Sequence, residues 1–119
     1  MNTPTNDFSK LLIEEVLERL KPLGLEKVVL FGSHADGFPG KDSDIDLYVV
    51  TGDDFMPQSF QEKMNVYLQV SNCITDIEKK NPIDLIVHTK PMHQKFNELG
   101  SMFSKTIKRG VVLYEKTVA

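Results

Sequence analysis

Three aspartates and a Gly-Ser pair are the residues of this chain whose types and spacing could do chemistry. Asp44 and Asp46 open the run DIDLYVV, and Asp84 is the second residue of IDLIVH. In an extended strand, side chains alternate between faces. Asp44, Asp46 and Tyr48 then point one way and Ile45, Leu47 and Val49 the other, with the two carboxylates roughly 7 Å apart at Cα. Two acids at the mouth of a strand whose other face is aliphatic make a costly arrangement for a fold alone and a good one for holding a cation. If Asp84 joins them at ~5 Å, each pair repels by about 3 kcal/mol at an effective dielectric of ~20. Such a cluster needs a cation or raised pKa values. All-oxygen ligands with no Cys or His cluster beside them suit Mg2+ or Mn2+ rather than zinc. Gly32 and Ser33, which follow the apolar run VVLF, supply the complementary half. A glycine at a strand-to-helix turn lets a phosphate approach the backbone, where amides and the Ser33 hydroxyl can donate to it. Metal on one side and a phosphate cradle on the other is the layout for metal-assisted phosphoryl or nucleotidyl transfer.

Composition bounds the alternatives. The chain has 119 residues, and 40% hydrophobic with 26% charged content places it among ordinary globular domains. We read residues 1–119 as a single domain, with the polar first six residues expected to be frayed. The net charge of -3 supplies no basic field for direct nucleic-acid binding, although nucleotides can still be held through metal and backbone amides. Cys73 is the one cysteine, so no intramolecular disulfide is possible and a reducing compartment is expected. No signal-like start and no apolar run of ~20 residues is present, which predicts a cytoplasmic protein without a membrane partner.

The elements that must position the acids can be read from periodicity. Phe8, Leu12, Val16 and Leu20 recur at four-residue spacing and predict an amphipathic helix from Asp7 or Ser9 to about Pro22 and Gly24. Lys27 to Phe31 reads as a buried strand, followed by at most one helical turn near Ser33 to Asp36. Asp44 to Val50 is the second strand. Ser59 to Lys80 reads as one helix burying Phe60, Met64, Tyr67, Leu68, Ile74 and Ile77, stopped by Asn81-Pro82. Ile83 to His88 is the third strand. Met92, Phe96, Leu99, Phe103 and Ile107 carry a helical stripe that Gly100 interrupts. Val111 to Tyr114 is either a short edge strand or an extended tail. The long helix makes a crossover that leaves the second and third strands parallel and puts all three acids at one edge. Strand one must then run antiparallel to strand two to bring Gly32-Ser33 there. The expected fold is α/β (α+β), a small mixed sheet with helices packed on it.

With these residues placed, the chain resembles the DNA polymerase β-like nucleotidyltransferase superfamily, and within it the minimal (MNT) nucleotidyltransferases. The match is Gly32-Ser33, ten residues, then Asp44-Ile45-Asp46, with Asp84 in PIDLIV as the third acid. The ending IKRGVVLYE is also similar to how minimal members finish. The resemblance implies transfer of a nucleoside monophosphate, AMP from ATP, with divalent ions held by Asp44, Asp46 and Asp84, and with Asp84 helping to activate the attacking hydroxyl. It further implies a HEPN-domain toxin as partner, whose tyrosine is the acceptor, with this chain as antitoxin. One departure stands out. Family members commonly carry a basic residue where this chain has Asp36, in a GS-x-A-[basic]-G pattern. An acid there works against triphosphate binding, and Lys41 is the residue of the loop that could compensate.

Other readings compete. A binding-only antitoxin that neutralises its partner by covering it is favoured by Asp36, and a small-molecule (aminoglycoside-type) nucleotidyltransferase ranks third because the chain leaves little room for an acceptor-binding domain. Self-association is left open. Asp84 could simply flank the Pro82 turn, and Gly32-Ser33 could be a tight turn alone. His34, His88 and His93 fit no metal motif and are read as solvated or supporting residues. Met64, Met92 and Met102 are read as core or interface filling, and Cys73 as a small buried residue.

Overall fold

A computed structural model describes residues 7–36 and 44–116, without the side chains of residues 7–9 and 36. The expectations for the first six residues, for Lys41 and for the Asp36 side chain lie outside the described residues. In chain order the elements are α1 (Asp7–Leu20, continued by a 3-10 turn, Lys21–Leu23), β1 (Lys27–Phe31), α2 (Ser33–Asp36), β2 (Ile45–Val50), α3 (Phe60–Ser71), α4 (Thr75–Lys80), β3 (Ile83–His88), α5 (Lys90–Leu99), α6 (Met102–Lys108) and β4 (Val111–Glu115).

The four strands form one mixed sheet in the order β3-β2-β1-β4. β1 pairs antiparallel with both β2 and β4, while β2 and β3 run parallel. This is the arrangement that the placement of the acids requires. The β2–β3 connection through α3 and α4 is the crossover that a parallel pair needs. β4 resolves the choice left open by the sequence, since it is a paired edge strand.

Alternation along the strands divides the core in two. Val28, Leu30, Ile45, Leu47 and Val49 face α1, through Leu12, Ile13, Val16 and Leu20, and the α3–α4 segment, through Val70, Ile74 and Ile77. Val29, Phe31, Tyr48 and Val50 face the other way, toward Ile107 of α6 and Phe96 of α5. The even positions of β2 thus begin with a carboxylate at Asp46 and continue into a buried aromatic layer.

Two expectations are corrected. The stretch Ser59 to Lys80 is two helices, with a break at residues 72–74 that lets Ile74 reach full burial. Its inner side is Val66, Val70, Ile74 and Ile77, whereas Phe60 is 75% exposed and Leu68 is also exposed. The small branched stripe packs flat on the sheet, and the bulkier stripe that suggested the opposite rotation lies outside. Of the two roles read for Met102, core or interface filling, the core role is excluded, since it is 80% exposed at the turn between α5 and α6, where Leu99 is exposed as well. Among the described residues no helix is long and apolar enough to cross a membrane.

Candidate active site

The register of the sheet builds the site. Phe31, the last residue of β1, lies opposite Asp46, and Asp46 lies beside Asp84 in the parallel ladder. Gly32 follows Phe31 with φ +77 and starts the single turn of α2, where the Ala35 amide donates to the Gly32 carbonyl at 3.1 Å. A Cβ at Gly32 would stand 3.1 Å from Asp46 Cγ and closer still to Oδ2. The Gly-Ser turn is therefore pressed against the carboxylate, and only a residue lacking a side chain permits the contact.

The electrostatics follow from this crowding. Asp46 is pushed up from 3.8 to about 6, first by burial, then by a side-chain hydrogen bond with Asp84 and by the charges of Asp84 and Asp44, with His34 opposing. Burial and the neighbouring carboxylates disfavour the charged form, so Asp46 takes up a proton more readily than a free aspartate does. Asp84 is exposed and Asp44 half-exposed. Among the described residues no three His, Cys, Asp or Glu side chains form a complete metal cage. The observed unit is a carboxylate pair, Asp46 and Asp84, on which Asp44 acts by charge. That donor set fits an ion such as Mg2+, which binds through one or two carboxylates and completes its shell with water and substrate phosphates. Gly32 and Ser33 lie at this edge of the sheet, as expected, while Lys41 lies in the undescribed loop.

Sequence reading missed a polar chain on the same face. Tyr48 is fully buried, with its hydroxyl oxygen 2.9 Å from His88 Nδ1 and 2.8 Å from His93 Nδ1. Its ring stacks against Phe96 at 5.3 Å. Asn97 Nδ2 lies 3.2 Å from His93 Nε2 and can only donate to it. His93 must then hold its proton on Nδ1 and donate to Tyr48, which donates in turn to His88 Nδ1, leaving the His88 proton on Nε2. Burial raises the Tyr48 hydroxyl above its ordinary range. Burial, then His93 and Lys63, push His88 down to about 4. Burial and then Lys27 lower His93, with Glu26 and Glu115 opposing. Two of the three histidines read as solvated or supporting are thus members of one hydrogen-bonded chain, and His34 is buried beside Asp46. The available signal was a tyrosine in an otherwise aliphatic strand, since a buried phenol needs a partner. Long-range 15N NMR at pH 7 is expected to show His93 as the Nδ1–H tautomer and His88 as the Nε2–H tautomer. Matching tautomers would refute the derived direction.

A carboxylate pair beside a glycine-served turn at the edge of a mixed sheet defines a class, the nucleotidyltransferase fold and site. The chain belongs to the polymerase β nucleotidyltransferase family: the family model described as "Polymerase beta, Nucleotidyltransferase" matches residues 12–118. Among solved structures, the chain is similar to a candidate nucleotidyltransferase from Sulfolobus solfataricus, at 24% identity and TM-score 0.53 over 91% of this chain and 78% of that one. It is also similar to a chain in a toxin–antitoxin complex with AMP-PNP, at 17% identity and TM-score 0.52 over 87% of this chain and 73% of that one. A chain in the MntA–HpeT toxin–antitoxin complex aligns at 16% identity and TM-score 0.50 over 91% and 73%. A comparison with curated proteins gives no match.

Proposed function

We propose that this nucleotidyltransferase moves AMP from ATP onto a hydroxyl, the acceptor being a tyrosine of a HEPN-type toxin, and so acts as the antitoxin of the pair. The observation that carries the reading is Asp46, held between the Gly32 turn and Asp84 with its carboxyl raised by burial and then by its acidic neighbours. Such a group is costly without a cation and well placed with one. The nucleotide analogue in one similar complex, and the toxin–antitoxin pairing of two, are in keeping with this chemistry.

In this mechanism Asp46 and Asp84, assisted by Asp44, would hold the Mg2+ or Mn2+ that neutralises charge at the α-phosphorus. The Gly32–Ser33 amides and the Ser33 hydroxyl would orient the triphosphate. The exposed Asp84 is the group that takes the proton of the acceptor hydroxyl. The acceptor oxygen bonds to the α-phosphorus, the bond to the bridging oxygen breaks, and pyrophosphate leaves.

The test is incubation of the protein with α-labelled ATP, magnesium and a HEPN-type toxin, with Asp84→Asn as control. Label on a partner tyrosine, lost in the variant, supports the reading. Neutralisation of the toxin without label, unchanged in the variant, would establish the binding-only alternative that Asp36 favours.

Asp36 gives a second measurable outcome. Its position in the sequence is three residues past Ser33, so a carboxylate there opposes triphosphate binding. Asp36→Arg is expected to tighten MgATP binding several-fold, the equivalent of ~1 kcal/mol, with the gain shrinking as salt rises. Isothermal titration would read both, and unchanged affinity would show that residue 36 does not face the nucleotide.

A further inference from the structure

The sheet carries a second approach to the Gly32 turn, from the side of β4. Leu30, two residues before Gly32, pairs with Val111, the first residue of β4. The preceding Gly110 is packed so tightly on β1 that a Cβ there would stand 2.6 Å from the Leu30 carbonyl oxygen and 2.6 Å from Val29 Cγ1. Its amide closes the end of α6 by donating to the Ile107 carbonyl at 2.9 Å. The corner of residues 108–110 is therefore seated against the strand end that feeds the Gly-Ser turn. That corner carries Lys108 and Arg109, both exposed. The ion pairs among the described residues are made by Arg19, Lys27 and Lys90, so neither cation of the corner is paired with a described acid.

The charge pattern points the same way. The chain is acidic overall, yet residues 90–109 hold five Lys or Arg against the single acid Glu98. A cation in the last turn of a helix is ordinarily accounted for by the helix dipole. That account explains why Lys108 and Arg109 suit the end of α6. It does not explain why the end is fixed beside the phosphate turn by a glycine that tolerates no side chain. It also leaves unanswered how a triphosphate is neutralised when residue 36 is an acid.

We infer that Arg109, with Lys108, is the cationic arm of the nucleotide site and binds the terminal phosphates of the triphosphate from the β4 side. The inference rests on the nucleotidyl-transfer reading and names residues for it that the Gly-Ser and Asp-x-Asp pattern does not include. Arg109 presents a planar fork suited to two phosphate oxygens, and Lys108 adds a point charge. The chemistry recognised is a polyphosphate, either that of the nucleotide or a free chain of the same length.

The experiment is titration calorimetry of the wild type, Arg109→Glu, Arg109→Lys and the double variant Lys108→Glu/Arg109→Glu. The titrants are MgATP, magnesium tripolyphosphate and adenosine, each at low and high salt. Both positions are exposed, so melting temperatures are expected to stay within a few degrees of the wild type. The double variant is expected to bind MgATP and tripolyphosphate at least tenfold more weakly at low salt, with a smaller loss at high salt and no change for adenosine. Arg109→Lys should keep most of the affinity. Equal affinities across the set would overturn the inference while leaving the nucleotidyltransferase reading standing. An equal loss for adenosine would also overturn it, by showing that the base or ribose subsite was disturbed. A wild type that binds neither MgATP nor tripolyphosphate would overturn both.

Discussion

Asp46→Asn is expected to lower nucleotidyl transfer on the order of a thousandfold and to leave the protein as stable as the wild type, or more so, at pH 7. The loss of activity follows from the removal of a charge that would sit against the ion at the reacting phosphorus. The stability follows from the carboxyl's raised pKa. In the folded chain Asp46 titrates at about 6 rather than 3.8, so the fold binds its proton more tightly than the unfolded chain does. The sign of the linkage is then fixed: Asp46 costs nothing below about pH 4, and its penalty grows as the pH rises to about 6 and stays constant above. A shift of this size corresponds to about 3 kcal/mol at full strength, which solvent screening at a partly open site reduces to about 1–2 kcal/mol.

His88 runs the other way. Its folded pKa of about 4 lies below its ordinary 6.5, so its contribution is fully present above pH 6.5 and is lost as the pH falls toward 4. In the wild type the Asp46 slope opposes those of His88 and of His93, whose folded pKa is also lowered, over the same range. Asp46→Asn removes one of them, and the remaining fall in stability on acidification should become visible. Urea denaturation from pH 4.5 to 7.5 would show a variant whose gain in stability toward neutrality exceeds that of the wild type by about 1–2 kcal/mol. A variant clearly less stable than the wild type at pH 7 would instead make Asp46 a structural acid.

Gly32→Ala is expected to damage both fold and chemistry. Alanine at φ +77 costs about 1–2 kcal/mol for its left-handed backbone. The new methyl group would also occupy the place of Asp46 Oδ2, so the carboxylate must rotate out of its position beside Asp84 and the turn must shift. A total loss of about 2–4 kcal/mol and transfer below detection are the expected results. The two parts separate in a double-mutant cycle with Asp46→Ala. Removing the carboxylate makes room for the methyl group, so the combined destabilisation should be less than the sum while the backbone cost persists. A Gly32→Ala protein with wild-type stability and activity would contradict the geometry of the turn.

The sheet edge that carries Asp46 and Asp84 was legible in the sequence because its signals are local and of the right period. Lys27–Phe31 and Ile83–His88 are short aliphatic runs between breakers, and the alternation of DIDLYVV assigns its acids to one face. The crossover rule then supplied the parallel pairing that sets Asp46 beside Asp84. The α3 face was misread because its apolar residues form two stripes, and only contact with the sheet selects Val66 and Val70 over Phe60 and Leu68. Of the Tyr48 chain, the sequence offers only the phenol in need of a partner and not the partners themselves. Its partners come from β3 and α5, and hydrogen bonds between side chains forty or more positions apart leave no periodic trace.

That chain carries a consequence for variation among relatives. Asn97, His93, Tyr48 and His88 form one directed chain of hydrogen bonds in a part-buried layer around the fully buried Tyr48. Removing a histidine takes a partner from the buried Tyr48 hydroxyl, and removing the phenol leaves two half-buried imidazoles without theirs, which costs more than replacing the set with apolar residues. Homologous chains should therefore keep the quartet whole or lose it together, and these four positions should co-vary even where the acids do not change.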